Sequence, residues 1–124
     1  MIISCSHGKD LGRLIAIKSK DRHSELLMDR FPDDELRIRI YPELKNKNVI
    51  LVQSFYKSSK SLSFGAHERS DYSISDCIVE VIFAAQTARE LGAKRVILVA
   101  PYFPYMRQDK RFHKGESISQ SIIA

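Results

Sequence analysis

Apolar positions in this chain form continuous runs, one alternating run and two stretches of helical spacing. Met1 to Cys5 and Val49 to Val52 are apolar almost throughout, so each predicts a strand buried on both faces. Arg95-Val96-Ile97-Leu98-Val99-Ala100 predicts a third buried strand. Leu36-Arg37-Ile38-Arg39-Ile40 alternates, which predicts a half-buried strand with Arg37 and Arg39 in water. Glu25 to Met28 reads as one further strand. Leu11, Leu14, Ile15 and Ile17 predict a short amphipathic helix after the Ser6-His7-Gly8 turn. From Ser73 the period is helical again: Ile74, Ile78, Val81, Ile82, Ala85 and Leu91 share a side, and Gly92 marks the end. Phe55 to Tyr72 is rich in Ser and Lys and has no period, which predicts a long surface loop. Strand–helix–strand spacing of this kind implies an α/β fold of three layers, a mainly parallel sheet flanked by helices with right-handed crossovers. Near the end, Ser117 or Ser119 reads as a helix N-cap, and Ile118, Ile122 and Ile123 open a new apolar face. The sequence then stops at Ala124, and a helix that short is marginal alone. The pattern reads as a larger protein cut at this point.

Length and charge narrow the picture. The 124 residues suit one domain. A net charge of +5 favours anionic partners: nucleotides, sugar phosphates or nucleic acid. Met1-Ile2-Ile3 is too short for a signal peptide, and no apolar run reaches the ~18–20 residues of a membrane span, so the expectation is a cytoplasmic protein with no membrane partner. Cys5 and Cys77 then read as reduced, buried small hydrophobes. His7, His23, His67 and His113 show no ligand spacing and read as surface or turn residues, with His113 a partial exception because it sits in the charged loop.

Candidate chemistry is concentrated in two places. The strand at Arg95 opens into Pro101-Tyr102-Phe103-Pro104-Tyr105-Met106-Arg107-Gln108-Asp109-Lys110-Arg111-Phe112. Open α/β sheets place ligands at the carboxyl ends of their strands. Arg offers a planar fork matched to phosphate oxygens, and Lys adds a mobile point charge. Such a loop suits a polyphosphate beside something flat, or else is a solvated basic turn. The second place is Phe31-Pro32-Asp33-Asp34-Glu35. An exposed ring beside three carboxylates suits a purine, stacking on its face and accepting from its amine. The alternative is a Pro-Asp turn with Phe31 in the core, which these residues alone favour. No G-x-x-x-x-G-K-[ST], G-x-G-x-x-G or G-x-S-x-G pattern is present.

Phe31 to Glu35, the strand ending in Val52-Gln53-Ser54, Ala100 to Lys110 and Gly115-Glu116-Ser117-Ile118-Ser119 together resemble the amino-terminal half of ribose-phosphate diphosphokinase, over nearly the whole chain and in matching order. The resemblance implies a phosphoribosyltransferase-type domain over residues 1–124, with the carboxyl-terminal domain absent. It implies an enzyme that, as a complete protein with Mg²⁺, transfers the diphosphoryl group of ATP to ribose 5-phosphate. By resemblance, Phe31, Asp33, Asp34 and Glu35 bind adenine and serve the active site of a neighbouring subunit in a homo-oligomer. Arg107 and Gln108 contact ATP, and Asp109 and Lys110 lie at the base of a loop that closes over it. Three features differ. The family has Gly at the position of Asp34, the Phe55–Tyr72 loop is longer, and the D-D-x-x-x-T-G-G-T loop, metal-ligating His and catalytic Lys and Arg match no position here. No catalytic residue and no metal ligand is therefore expected in this chain, and alone it should be inactive. A non-catalytic homologue that regulates the active enzyme is the second reading. A small basic nucleic-acid module is the third, without a recognition motif to support it.

Overall fold

The computed structural model describes residues 1–56 and 72–124. Its centre is a four-stranded parallel sheet of β1 (Ile2–Ser4), β2 (His23–Glu25), β5 (Asn48–Val52) and β6 (Arg95–Val99), in the order β2-β1-β5-β6. Register is continuous: Ile3 pairs with Leu51, and Leu51 with Leu98. Helix α1 (Lys9–Ser19) connects β1 to β2 on one face, packing Leu11, Ile15 and Ala16 on Ile2, Ile50 and Val52. Helix α2 (Ile74–Glu90) precedes β6 on the other face, packing Ala84 and Ala88 on Ile3, Val49 and Leu51. Alternate residues of β1 and β5 thus feed two separate cores, which is why both strands are apolar at nearly every position. The three-layer α/β expectation holds.

A two-stranded antiparallel hairpin, β3 (Leu27–Arg30) and β4 (Leu36–Arg39), stands apart from this sheet and packs against α2. Ile38 joins the Ala84–Ala88 core, while Met28 and Leu36, like Ile78 and Val81 of α2, pack around Phe55, Tyr72 and Cys77. As expected, Arg37 and Arg39 face water. Arg37 grips Asp29 across the hairpin through two hydrogen bonds, and this contact holds the Asp29 carboxyl below the usual carboxylate range.

Several expectations change. The single strand at Glu25 to Met28 is two: β2 ends at Glu25, the buried Leu26 turns the chain, and β3 starts at Leu27 in the other sheet. Each helix buries only part of the side predicted for it: Leu11 and Ile15 of α1, and Ile78, Val81 and Ala85 of α2, do pack on the core. Helix α1 turns Gly12 and Ala16 inward and leaves Leu14 and Ile17 57% and 68% exposed. Helix α2 buries Cys77, Glu80, Ala84 and Ala88, leaving Ile82 and Leu91 in solvent. Small residues line both inner faces because the helices lie close to the sheet. A Cβ on Gly12 would fall 1.9 Å from Ser4 Oγ. Strand β6 is the sheet edge and not a fully buried strand, with Ile97 exposed where α1 does not reach.

Helix α2 begins as expected, with Ser73 as N-cap and Asp76 completing a capping box. The last helix, α3 (Ser119–Ile123), has Ile118 at its N-cap position, and neither Ser117 nor Ser119 caps it. Its Ile122 is exposed. Phe55 and Tyr72, expected at the ends of a surface loop, are buried together with Cys77. The rest of that loop, residues 57–71, lies outside the described residues, as does His67. Among the described residues, no helix is long and apolar enough to cross a membrane.

Candidate functional site

The two βαβ units diverge from β1 and β5, so the strand order reverses between them. Crevices at such a reversal, beyond the carboxyl ends of the strands, are where open α/β sheets receive ligands. Three loops meet at this edge: Cys5–Gly8 after β1, Gln53–Tyr56 after β5, and the segment after β6. The first approaches the second so closely that a Cβ on Gly8 would fall 1.9 Å from the Val52 carbonyl oxygen.

Beneath the edge lies a buried polar hub that the sequence does not announce. Glu80, fully buried, reaches out of α2. Its Oε1 accepts from the Ser6 backbone N–H at 2.8 Å. Its Oε2 accepts from the Ser6 hydroxyl at 2.6 Å, from Gln53 Nε2 at 2.7 Å and from the Tyr72 hydroxyl at 2.7 Å. Gln53 Oε1 in turn accepts from the His7 backbone N–H at 2.9 Å. The carboxylate is fully committed, and it ties α2 to the ends of β1 and β5.

Beside the hub, His7 Nδ1 sits 3.3 Å from Cys77 Sγ, and the imidazole packs against Tyr56 and Tyr72, with ring centroids 4.3 and 5.1 Å away. His7 Nε2 is buried and has no partner among the described residues. A thiol next to an imidazole could suggest a nucleophile, but electrostatics oppose it. Burial and the Glu80 carboxylate push the Cys77 thiol up to about 12, while burial pushes the His7 imidazole down. Neither group carries the charge that an activated thiolate pair needs. Cys5 and Cys77 are buried free thiols, as expected. His7 lies in the expected turn but is half-buried. His23 is likewise not a surface residue, its Nε2 lying 2.8 Å from Ser4 Oγ.

The segment after β6 is built differently. Phe103 packs edge-on against Phe55 at 5.6 Å, Pro104 is fully buried, and the Tyr105 hydroxyl lies 2.9 Å from Ser75 Oγ in the first turn of α2. Tyr105 adopts φ 62°, a left-handed conformation that a bulky residue enters only when its surroundings hold it there. Past this anchor Arg107, Asp109 and Lys110 are exposed, and Gln108 is half-buried. Arg107 has no ion-pair partner among the described residues, and Lys110 only lies over the Phe112 ring at 5.4 Å.

The hairpin tip is the other predicted constellation. Asp34 N–H donates to the Phe31 carbonyl, and Phe31 N–H to that of Glu35, closing a tight turn with Asp34 at φ 74°. This left-handed position is one that favours Gly. Phe31 is 45% exposed, which overturns its reading as a core residue, and the Arg37 guanidinium covers one face at 5.1 Å. Asp33 accepts from Glu35 N–H and Asp34 pairs with Arg30, while the Glu35 carboxylate has no partner among the described residues. Arg30 also reaches Asp76 at 3.2 Å. Burial works against the Asp76 charge, but the Ser73 hydroxyl and amide, with Arg30, hold its carboxyl below the usual range.

Both constellations therefore lean on the first turn of α2, one through Asp76 and the other through Ser75. Among the described residues no hydrogen bond, ion pair or ring contact joins residues 31–35 to 107–110. Sequence reasoning missed Glu80, Glu116, Ser75 and Arg30. Only Glu80 left a signal, as a carboxylate in helical register with the small residues Cys77, Ala84 and Ala88.

Comparison with known proteins gives a consistent result. The sequence profile of the N-terminal domain of ribose phosphate pyrophosphokinase matches residues 1–124. The ribose-phosphate pyrophosphokinases of Methanobrevibacter smithii and Methanopyrus kandleri are 31% and 32% identical to this chain over all its 124 residues. These matches span 36% and 37% of those proteins, so the chain covers little more than a third of the length of these curated relatives. The crystal structure of phosphoribosylpyrophosphate synthetase from Mycobacterium smegmatis aligns with a TM-score of 0.80 at 18% identity, over 100% of this chain and 37% of that one. That likeness shows the fold. With a family profile spanning every residue, the chain belongs to the ribose phosphate pyrophosphokinase family and corresponds to its N-terminal domain.

Proposed function

We propose that this chain is the ATP-binding part of a ribose-phosphate diphosphokinase, which moves the diphosphoryl group of ATP to the 1-hydroxyl of ribose 5-phosphate for nucleotide biosynthesis. The reaction forms a bond from the sugar oxygen to the β-phosphorus and breaks the bond from that phosphorus to the α,β-bridging oxygen, which leaves with AMP, while the 1-hydroxyl gives up its proton. Relatives with this printed name match the whole chain. The observation that carries the reading is the loop after β6, where Arg107 and Lys110 stand exposed without an ion-pair partner among the described residues, on a firmly packed anchor. Diphosphoryl transfer depends on charge neutralisation and alignment more than on covalent chemistry. Arg107 neutralises and orients phosphate oxygens, Gln108 donates a hydrogen bond, and Lys110 adds mobile charge. Asp109 stands at the base of the same loop.

On this reading Phe31 stacks its open face on adenine while Asp33, Asp34 and Glu35 surround the amine, with Glu35 the freest acceptor. The hairpin tip serves the site of a neighbouring copy in a homo-oligomer, in keeping with the absence, among the described residues, of a hydrogen bond, ion pair or ring contact between the two constellations. Among the described residues no three His, Cys, Asp or Glu side chains converge as a metal cage. Mg²⁺ fits here as part of Mg–ATP, since this ion is commonly held by few carboxylates and by substrate phosphates. When bound, it neutralises phosphate charge. Ribose 5-phosphate and the catalytic groups belong to a second domain, the chain described here being the amino-terminal phosphoribosyltransferase-type domain.

An ATP titration of the chain and of Phe31→Ala, with melting curves alongside, tests the assignment. Base–aromatic stacking is worth about 1–3 kcal/mol, so affinity should fall roughly 5- to 150-fold with the melting temperature unchanged. A large melting shift with unaltered binding would sink it.

A further inference from the structure

The exposed loop that carries Arg107 to Lys110 is closed by one side chain lying beyond it. Glu116 Oε2 accepts from the backbone N–H groups of Phe112 and His113 at 3.0 Å each, and from Gln108 Nε2 at 3.3 Å. Arg111 Nε donates to the Glu116 carbonyl at 3.0 Å. Gln120 N–H, in the first turn of α3, donates to the Gln108 carbonyl at 3.3 Å. A single carboxylate oxygen thus gathers two consecutive amides and the side chain of Gln108, while its neighbours Phe112 to Gly115 are exposed. Charge-assisted bonds of this kind are the strong ones in such a setting.

We infer that Glu116 is a positioning residue for the polyphosphate site, fixing the orientation of Gln108 and the span that follows Lys110 before any ligand arrives. The inference rests on the proposed function of this loop. Glu116 is an anion, so direct contact with a phosphate would oppose binding, and its Oε2 already meets three donors. Its contribution is indirect: a loop held in one conformation loses less freedom when ATP binds. Residues of an open, charged loop would otherwise have to be ordered by the ligand itself.

The experiment measures amide hydrogen exchange and ATP affinity in the full chain for the wild type, Glu116→Ala, Glu116→Gln and Arg107→Ala. Glu116→Ala should speed exchange at the Phe112 and His113 amides and weaken ATP binding about tenfold, as expected for losing bonds to a charged acceptor. Melting should scarcely change. Glu116→Gln keeps an acceptor oxygen and should recover binding to within roughly threefold. Unchanged exchange at both amides in Glu116→Ala overturns the inference whether or not ATP binds. Tighter ATP binding in both Glu116 variants also overturns it, since Glu116 would then be a competing anion. If the wild type binds no ATP, or Arg107→Ala binds as well as the wild type, the fault lies with the proposed function and the Glu116 role falls with it.

Discussion

The buried hub around Glu80 and the exposed loop around Arg107 lie at the same edge of the sheet and treat polar groups in opposite ways. In the hub one carboxylate meets four donors from three parts of the chain, and nothing is left for a ligand. In the loop, cationic side chains project from a packed anchor and have no carboxylate partners among the described residues. Burial explains the difference. An unmatched polar group is costly inside the protein and nearly free at its surface. Matched groups hold the edge together, and unmatched ones are available for recognition. The Cys77 thiol and His7 Nδ1 belong to the first class, however reactive their residue types look, although His7 Nε2 is left without a partner among the described residues.

The strongest way to break the comparison is to remove the hub. Glu80→Ala removes the acceptor of the Ser6 amide and hydroxyl and leaves Gln53 Nε2 and the Tyr72 hydroxyl only longer bonds, to Ser6 Oγ at 3.2 Å and the Asp76 carbonyl at 3.5 Å. Breaking a buried network of this kind typically costs about 3–5 kcal/mol, a large share of the ~5–15 kcal/mol that holds a domain folded. Denaturant titration should show that loss. A stability within 1 kcal/mol of wild type, on the order of an ordinary surface change, would mean that the hub is not what joins α2 to β1 and β5.

A smaller change sharpens the contrast at the hairpin tip, where Asp34 combines backbone strain with a proposed place in the adenine site. Asp34→Gly relieves the left-handed backbone at φ 74° but gives up the exposed pair with Arg30. The first effect is worth roughly 1–2 kcal/mol and the second about 0–1 kcal/mol, so the substitution should stabilise the chain by about 1 kcal/mol. A lower denaturation midpoint would show that Asp34 contributes more through its side chain than its backbone costs.

The smallest expected effect concerns pH. Burial holds the His7 imidazole below its ordinary value, so the unfolded chain takes up the proton first. The sign follows: stability is greatest above about pH 7 and declines as pH falls through the ordinary histidine value near ~6.5. His7→Phe keeps a ring between Tyr56 and Tyr72 and should flatten that decline. Identical pH profiles for the two proteins would take His7 out of the account.

The core sheet was legible because β1 and β5 are apolar on both faces, a pattern that only a central parallel strand requires. The helix faces were legible only in part, at Leu11, Ile15, Ile78, Val81 and Ala85. Hydrophobicity points to Leu14, Ile17 and Ile82, whereas close packing on the sheet selects Gly12, Ala16, Ala84 and Ala88, and size outweighs oiliness there. The switch at Leu26 left no mark, since a chain passing from one sheet to another keeps its strand composition. At the site, Arg107 to Lys110 stood out as a cluster of residue types, whereas Phe31 to Glu35 by themselves favoured a plain turn with Phe31 in the core, and only the family resemblance gave them a proposed role. Glu80 left no more than its helical register with Cys77, Ala84 and Ala88 as a signal, because its partner Ser6 lies 74 positions away. Glu116 left none, since a loop carboxylate looks the same whether it holds backbone amides or only water.

The central claim is that the unmatched cations after β6 bind polyphosphate. The most direct test compares ATP affinity and melting for the wild type and Arg107→Ala. Losing one charged donor should cost about 1.5–3 kcal/mol, a weakening of roughly 10- to 150-fold, while the melting curves superimpose because the Arg107 side chain is exposed. Equal ATP affinity for the two proteins would contradict the account.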